Sequence, residues 1–229
     1  KTIQLKRKQY IYVFIFGVGG FGLTGLLLTL SYQYLSSGLA TVFHFTAPLF
    51  VHILLYLFFK EKLSLKKIIS ILVAVLGLVC IFHSVDQISL KGVLLASSSG
   101  FFYAVYMVAV QKSDMRHIDS FVLVFYITLF SGILFSIVTV LQNEFIFPDS
   151  IQSYILILIV ALFCTLLPMS LITLSVQKIG SQKTSIINML EPLISVVLGV
   201  ILLNEKINIM SFGGIILVIM AIIFTIYEK

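Results

Sequence analysis

The chain has 229 residues, 60% of them hydrophobic and only 10% charged, with a formal net charge of +6. Soluble domains carry roughly 25% charged residues, so a soluble fold is excluded and lipid is the expected solvent for most of this surface. In that setting the positive charge points to lysines at a cytoplasmic membrane face, not to nucleic acid.

A hydrocarbon core about 30 Å thick needs roughly 20 apolar residues per helix. In chain order the segments that qualify are about 10–33, 40–59, 67–83, 89–110, 119–141, 153–176, 184–203 and 209–227. The first follows the basic stretch KTIQLKRKQ; its apolar run exceeds a signal-peptide core and shows no small-residue cleavage site, so it reads as a retained span. Gly17, Gly19, Gly20, Gly22 and Gly25 make one side of it small, which suits close helix contact. The third is short, but Lys66 and Lys67 can snorkel at its start. The connections, such as KEKLSLKK, QKSDMRH and QNEFIFPDS, are brief and polar. Long unbroken apolar runs argue against a β-barrel, whose strands alternate over about ten residues. The expected fold is an all-α integral membrane protein with eight transmembrane helices. Cys80 and Cys164 lie in apolar runs and read as small buried hydrophobes, not a disulfide.

Lysine and arginine set the orientation. With the N-terminus inside and alternating spans, thirteen of the fifteen fall inside and only Lys91 and Lys206 outside. This positive-inside bias predicts a multi-pass protein with both termini cytoplasmic.

The chain matches itself weakly at a constant offset of 144 residues: Pro48 with Pro192, Leu49 with Leu193, Glu61 with Glu205 and Lys62 with Lys206. The matched helices are the second and seventh, so they cross in opposite directions. An inverted-topology repeat of this kind is a device of secondary transporters. The first repeat, residues 1–86, then holds three spans, and the second, residues 87–229, holds five.

Polar residues inside these spans are the candidate site. At about 100° per residue, Thr41, His44, Pro48 and His52 share one face of the second span. Ser185, Asn188, Glu191, Pro192 and Ser195 form a similar stripe on the seventh, continued by Gly199. Proline lacks a backbone donor and frees the carbonyl at i−4, that of His44 for Pro48 and of Asn188 for Pro192. A freed carbonyl in a membrane must face protein, water or substrate. Glu191 is the sharpest candidate, because an acidic residue well inside a span is functional by default. A metal site is not expected: His44 and His52 lie eight residues apart on one helix, about 12 Å. No HExxH, paired-carboxylate or nucleotide-loop motif is present, so no catalytic residues and no cofactor are assigned and an enzyme is disfavoured.

The stretch LFCTLLPMSLITLSVQKIGSQKTSIINMLEPLISVVLGVILLNEKI, followed by GGIILVIMAIIF, resembles the EamA-type branch of the drug/metabolite transporter superfamily. The resemblance rests on Cys164 and Thr165, Lys178 and Gly180, Glu191 and Pro192, Leu198 and Gly199, and Glu205, with YQYLSSGLATVFHFTAPLF and KEKLS in the first half. It implies ten helices in two inverted five-helix units, so that the chain is expected to lack the first two of them. It also places Tyr103 and Tyr106 near aromatic positions of the family's sixth helix. The implied function is secondary-active transport, with export expected, of a small organic metabolite such as an amino acid or drug-like compound, by alternating access in the plasma membrane. The alternative is a truncated, non-transporting relative. The expected partners are a small-molecule substrate, a coupling proton or ion, and the lipid bilayer. Oligomeric state is not indicated. The candidate cavity residues are His44, Pro48, Tyr103, Tyr106, Asn188, Glu191 and Pro192.

Overall fold

The computed structural model describes residues 5–62, 64–82, 89–143, 147–203 and 209–227. Among these residues the fold is all helical, with no strand. The helices are α1 (Arg7–Ser31), α2 (Ser37–Phe59), α3 (Leu65–Ile81), α4 (Leu90–Lys112), α5 (Ser120–Leu141), α6 (Ile151–Ile179), α7 (Ser181–Leu202) and α8 (Ile209–Tyr227). Of these, α1, α2, α4, α5, α6 and α7 are long and apolar enough to cross a membrane. The other two expected spans are shorter: α3 has 17 residues, and the apolar stretch of α8 is Ile209–Thr225. The boundary expected between repeats at residues 86 and 87 lies outside the described residues, as do Glu205 and Lys206.

Helix ends follow local chemistry. Ser64, Asp119 and Ser150 cap the starts of α3, α5 and α6, their side chains accepting from the backbone N–H of Lys67, Phe121 and Ser153. Helix α2 ends on Lys60 in the left-handed conformation, φ 55°, with Glu61 N–H closing back onto the Leu55 carbonyl at 3.2 Å. Helix α6 ends at Gly180, whose φ of 86° and ψ of 162° only glycine adopts readily.

The chain forms two compact units, each drawing on both halves of the sequence: Lys1–Leu23 with Val105–Ser181, and Thr24–Ala104 with Gln182–Lys229. In the first unit the glycines of α1 admit neighbours directly. A Cβ on Gly20 would fall 2.9 Å from Cβ of Tyr106, and one on Gly17 would fall 3.2 Å from the Ile127 side chain. Ser131 Oγ donates to the Gly17 carbonyl at 3.4 Å. The residues Gly17–Gly22 are wound as a π-helix, a local widening that the sequence reading does not anticipate. A second π segment, Val160–Leu166, precedes Pro168 in α6. The N-terminal part of α6, Ile151–Ile159, buries no residue, and its isoleucines and leucines are exposed, as a lipid-facing surface requires. Cys164 corrects one expectation: it is exposed on the second π segment, whereas Cys80 is half-buried, and both are free thiols.

In the second unit α3 and α8 pack along their lengths through a glycine pair. A Cβ on Gly214 would lie 2.5 Å from the Gly77 carbonyl oxygen, and one on Gly77 would lie 2.8 Å from that of Gly214. Small residues let two backbones approach where lipid gives little hydrophobic drive for helices to associate. Around this contact Val42, Phe45, Ile71, Leu78, Met189, Leu193, Val218 and Ile222 form a buried apolar cluster.

Candidate functional site

Two helices of the second unit are broken, and both breaks lie just before a proline. In α2 the helix tightens at Phe45–Thr46, where Thr46 N–H bonds to the Phe43 carbonyl (3.2 Å) and Leu49 N–H to that of Thr46 (3.0 Å). In α7 it tightens at Asn188–Met189, where Met189 N–H bonds to the Ile186 carbonyl and Glu191 N–H to that of Asn188, both at 3.0 Å. Pro48 and Pro192 therefore sit in the first turn of a new helical segment, where a missing N–H costs nothing. The expectation for the freed carbonyls is met in one case and corrected in the other. The His44 carbonyl is directed at Gly100 of α4, where a Cβ would stand 2.5 Å away. The Asn188 carbonyl is not freed, because Glu191 N–H occupies it.

One face of α4 holds both breaks. Ser99 Oγ donates to the Ala96 carbonyl at 2.6 Å and lies 2.9 Å from His44 Nδ1. Since the hydroxyl hydrogen is already used, Nδ1–H must be the donor, which leaves Nε2 as the basic nitrogen of neutral His44. One turn further along α4, Tyr103 sets its ring 5.4 Å from the His44 ring, centroid to centroid. Its hydroxyl accepts from Asn188 Nδ2 at 3.1 Å. His44, Tyr103 and Asn188 are thus brought together from three helices. Ser99 is the member missed in the sequence reading; its position four residues before Tyr103, on the same helical face, is the signal that would have found it.

A double-mutant cycle measures this arrangement. Tyr103→Phe keeps the ring against His44 and removes the acceptor for Asn188. Combined with Asn188→Ala, it is expected to show a coupling of about 0.6 kcal/mol, the average for interhelical hydrogen bonds in a membrane protein. Denaturation midpoints in detergent give the number, and strictly additive losses would mean the bond is not made.

Beside the breaks lies a groove of about 230 Å³ lined by Ser37, Gly38, Thr41, Phe45, Phe82, Glu191, Pro192 and Ser195. The Phe82 ring covers Gly38, where a Cβ would fall 2.7 Å from Cδ1. Glu191 is exposed within the groove and, among the described residues, supplies its only charged side chain. A wider depression of about 600 Å³ runs along α5 between Thr128 and Leu141, but among the described residues one helix lines it and no charged group faces it.

The remaining candidates lie elsewhere. Pro48 and His52 are buried, and His52 Nδ1–H donates to the Pro48 carbonyl at 2.8 Å, so this part of the predicted stripe is turned into protein. Tyr106 belongs to the first unit. It is fully buried, and its hydroxyl is 2.8 Å from that of Thr173. Among the described residues no group of three or more His, Cys, Asp or Glu could hold a metal ion.

A model of the EamA-like transporter family matches residues 1–83 and 90–227. The chain belongs to the EamA-like transporter family. Similar proteins include an uncharacterized transporter of Archaeoglobus fulgidus, 33% identical over 103 residues, a stretch covering 45% of this chain and 37% of that protein. The threonine/homoserine exporter RhtA of Escherichia coli K12 is 26% identical over 234 residues, 99% of this chain and 76% of its own length. The uncharacterized transporter YetK of Bacillus subtilis is 26% identical over 98% of this chain and 70% of its own. A solved crystal structure matches the fold with a TM-score of 0.79 at 14% identity, covering 97% of this chain and 77% of that one. This EamA-like chain is thus a multi-pass membrane protein of a transporter family, and its relatives point to transport and not to enzymatic chemistry.

Proposed function

We propose that the chain is a secondary-active exporter of a small organic metabolite, working by alternating access at the pair of broken helices α2 and α7. The observation that carries this reading is the matched pair of breaks, Phe45–Thr46 and Asn188–Met189, each followed by a proline and both held by one face of α4. Broken helices at a repeat interface are where such carriers place their substrate. On this reading the eight helices are eight spans, residues 1–86 and 87–229 are inverted repeats, and His44, Tyr103, Asn188, Glu191 and Pro192 face the transported solute. Pro48 shapes the break from behind, and Tyr106 keeps its place in the helix packing. A proton or other ion would be the coupling partner, with His44 and Glu191 as the groups able to carry charge. The name of the Escherichia coli relative makes threonine the first substrate to try.

Counterflow in proteoliposomes tests the function: vesicles loaded with unlabelled threonine should accumulate labelled threonine well above protein-free vesicles. A panel of amino acids and small amines that all stay at the protein-free level would sink the exporter reading.

The same proposal places both termini in the cytoplasm of a plasma-membrane protein, supported by the distribution of lysine and arginine. A reporter within Gln111–His117 should then read cytoplasmic, and one within the loop around Asp149 should read external. The opposite pattern would reverse the orientation.

A further inference from the structure

The groove beside Glu191 presents negative charge and hydrogen-bond acceptors, and among the described residues no cationic side chain lines it. Its two back-bonded hydroxyls have their hydrogens committed within their own helices. Thr41 Oγ1 donates to the Ser37 carbonyl at 2.8 Å, and Ser195 Oγ donates to the Glu191 carbonyl at 3.2 Å. What those hydroxyls offer a ligand is therefore their lone pairs. Two aromatic rings, Phe45 and Phe82, complete the walls.

We propose that this groove is an ammonium subsite, which holds the protonated amine of a small solute with Glu191 as its counter-charge. The assignment deepens the transport reading and rests on it. An ammonium brings three donors and one positive charge to a wall of acceptors, and the faces of aromatic rings attract it further. Among the described residues a carboxylate or phosphate finds only the Ser37 hydroxyl as a donor side chain here, and it meets Glu191 as a like charge. A bare metal cation is a poorer match: the groove gives it one carboxylate and three hydroxyl oxygens beside two phenylalanine walls, whereas hard cations take six or more oxygens. Size narrows the class as well. At about 230 Å³ the groove is smaller than the roughly 300–1,000 Å³ of drug-sized sites, so it suits an amine of amino-acid dimensions.

Two probes separate the charges on one skeleton: L-threonine methyl ester keeps the ammonium and loses the carboxylate, and N-acetyl-L-threonine does the reverse. Binding to the purified full chain is measured calorimetrically in detergent, in sodium buffer and again in potassium buffer. The ester should bind at least about tenfold more tightly than the N-acetyl compound, a difference of about 1.4 kcal/mol, equally in both buffers. Glu191→Gln should remove ester binding and Glu191→Asp should retain part of it. The preference of the parent decides the matter even if a variant fails to fold. Equal or reversed preference, or no binding of either probe, overturns the ammonium assignment, and so does a strict need for sodium, which would put a metal ion at the carboxylate. If the N-acetyl compound binds and Glu191→Gln abolishes that binding, the groove remains the transport site and only its ligand class is wrong. If Glu191→Gln and Tyr103→Phe both leave ester binding untouched, the transport-site reading falls with it.

Discussion

Glu191→Gln is expected to lower transport by roughly tenfold or more, equivalent to about 1.4 kcal/mol of lost interaction, while the protein stays folded and inserted. A charged side chain at mid-helix costs about 2.5–3.5 kcal/mol on the insertion scale. Gln or Leu would fill the same position without that cost. A structural reason for the carboxylate does exist. Glu191 is in the first turn of the α7 segment that begins at Leu190, where the helix dipole favours negative charge. That effect is worth only about 0.3–1 kcal/mol at an exposed site. The two roles therefore predict opposite results. If Glu191 serves only the helix terminus, Gln lowers stability slightly and leaves transport at the parental rate. If it faces the solute, transport collapses and the midpoint of unfolding barely moves. Glu191→Leu should likewise abolish transport without unfolding the chain. Counterflow rates and thermal midpoints on the same purified variants settle the choice, and full transport by the Gln variant would remove Glu191 from the site.

The second large effect is structural. Gly100→Leu is expected to prevent the second unit from packing, and Gly100→Ala to destabilise it by about 1–3 kcal/mol, the usual range for overpacking. The added Cβ would meet the His44 carbonyl oxygen at 2.5 Å and the Ala47 nitrogen at 3.3 Å. Both are backbone atoms, so no side chain can swing aside. Relief requires α4 to move away from the α2 break, which also separates Ser99 from His44. Gly132 in α5 is the control, since nothing lies within 4 Å of a Cβ there. Gly132→Ala should be neutral or stabilise the helix by about 0.5–1 kcal/mol. Size-exclusion profiles and melting curves compare the three variants. A Gly100→Ala protein as stable as its parent would mean that α4 does not cross the break this closely.

Much of this protein was legible in the linear sequence, for a plain reason. Lipid forces backbone polar groups into helices and selects long apolar runs, so all-helical membrane character, approximate helix positions and brief polar connections follow from composition alone. Glu191 and the two prolines were also visible as exceptions to an apolar background. The path of the chain inside each helix was not. The π segments at Gly17–Gly22 and Val160–Leu166 change hydrogen bonding without changing hydropathy, so no apolar pattern reveals them. Periodicity placed His44, Pro48 and His52 on one face. The break at Phe45–Thr46 falls inside that stretch, so a uniform 100° step does not hold across it, and Pro48 and His52 turn into protein. Ser99 and Gly100 gain their meaning only from α4 lying against that break, a contact between residues more than fifty positions apart. The same holds for the groove: Thr41 comes from α2, Glu191 from α7 and Phe82 from the residue just after α3, and packing around Gly77 and Gly214 sets where α3 ends beside them. Sequence by itself determined which residues must avoid water and which cannot avoid carrying charge. Only the tertiary structure decided which of them meet, because helices in lipid meet where small residues let their backbones close, and that depends on both partners at once.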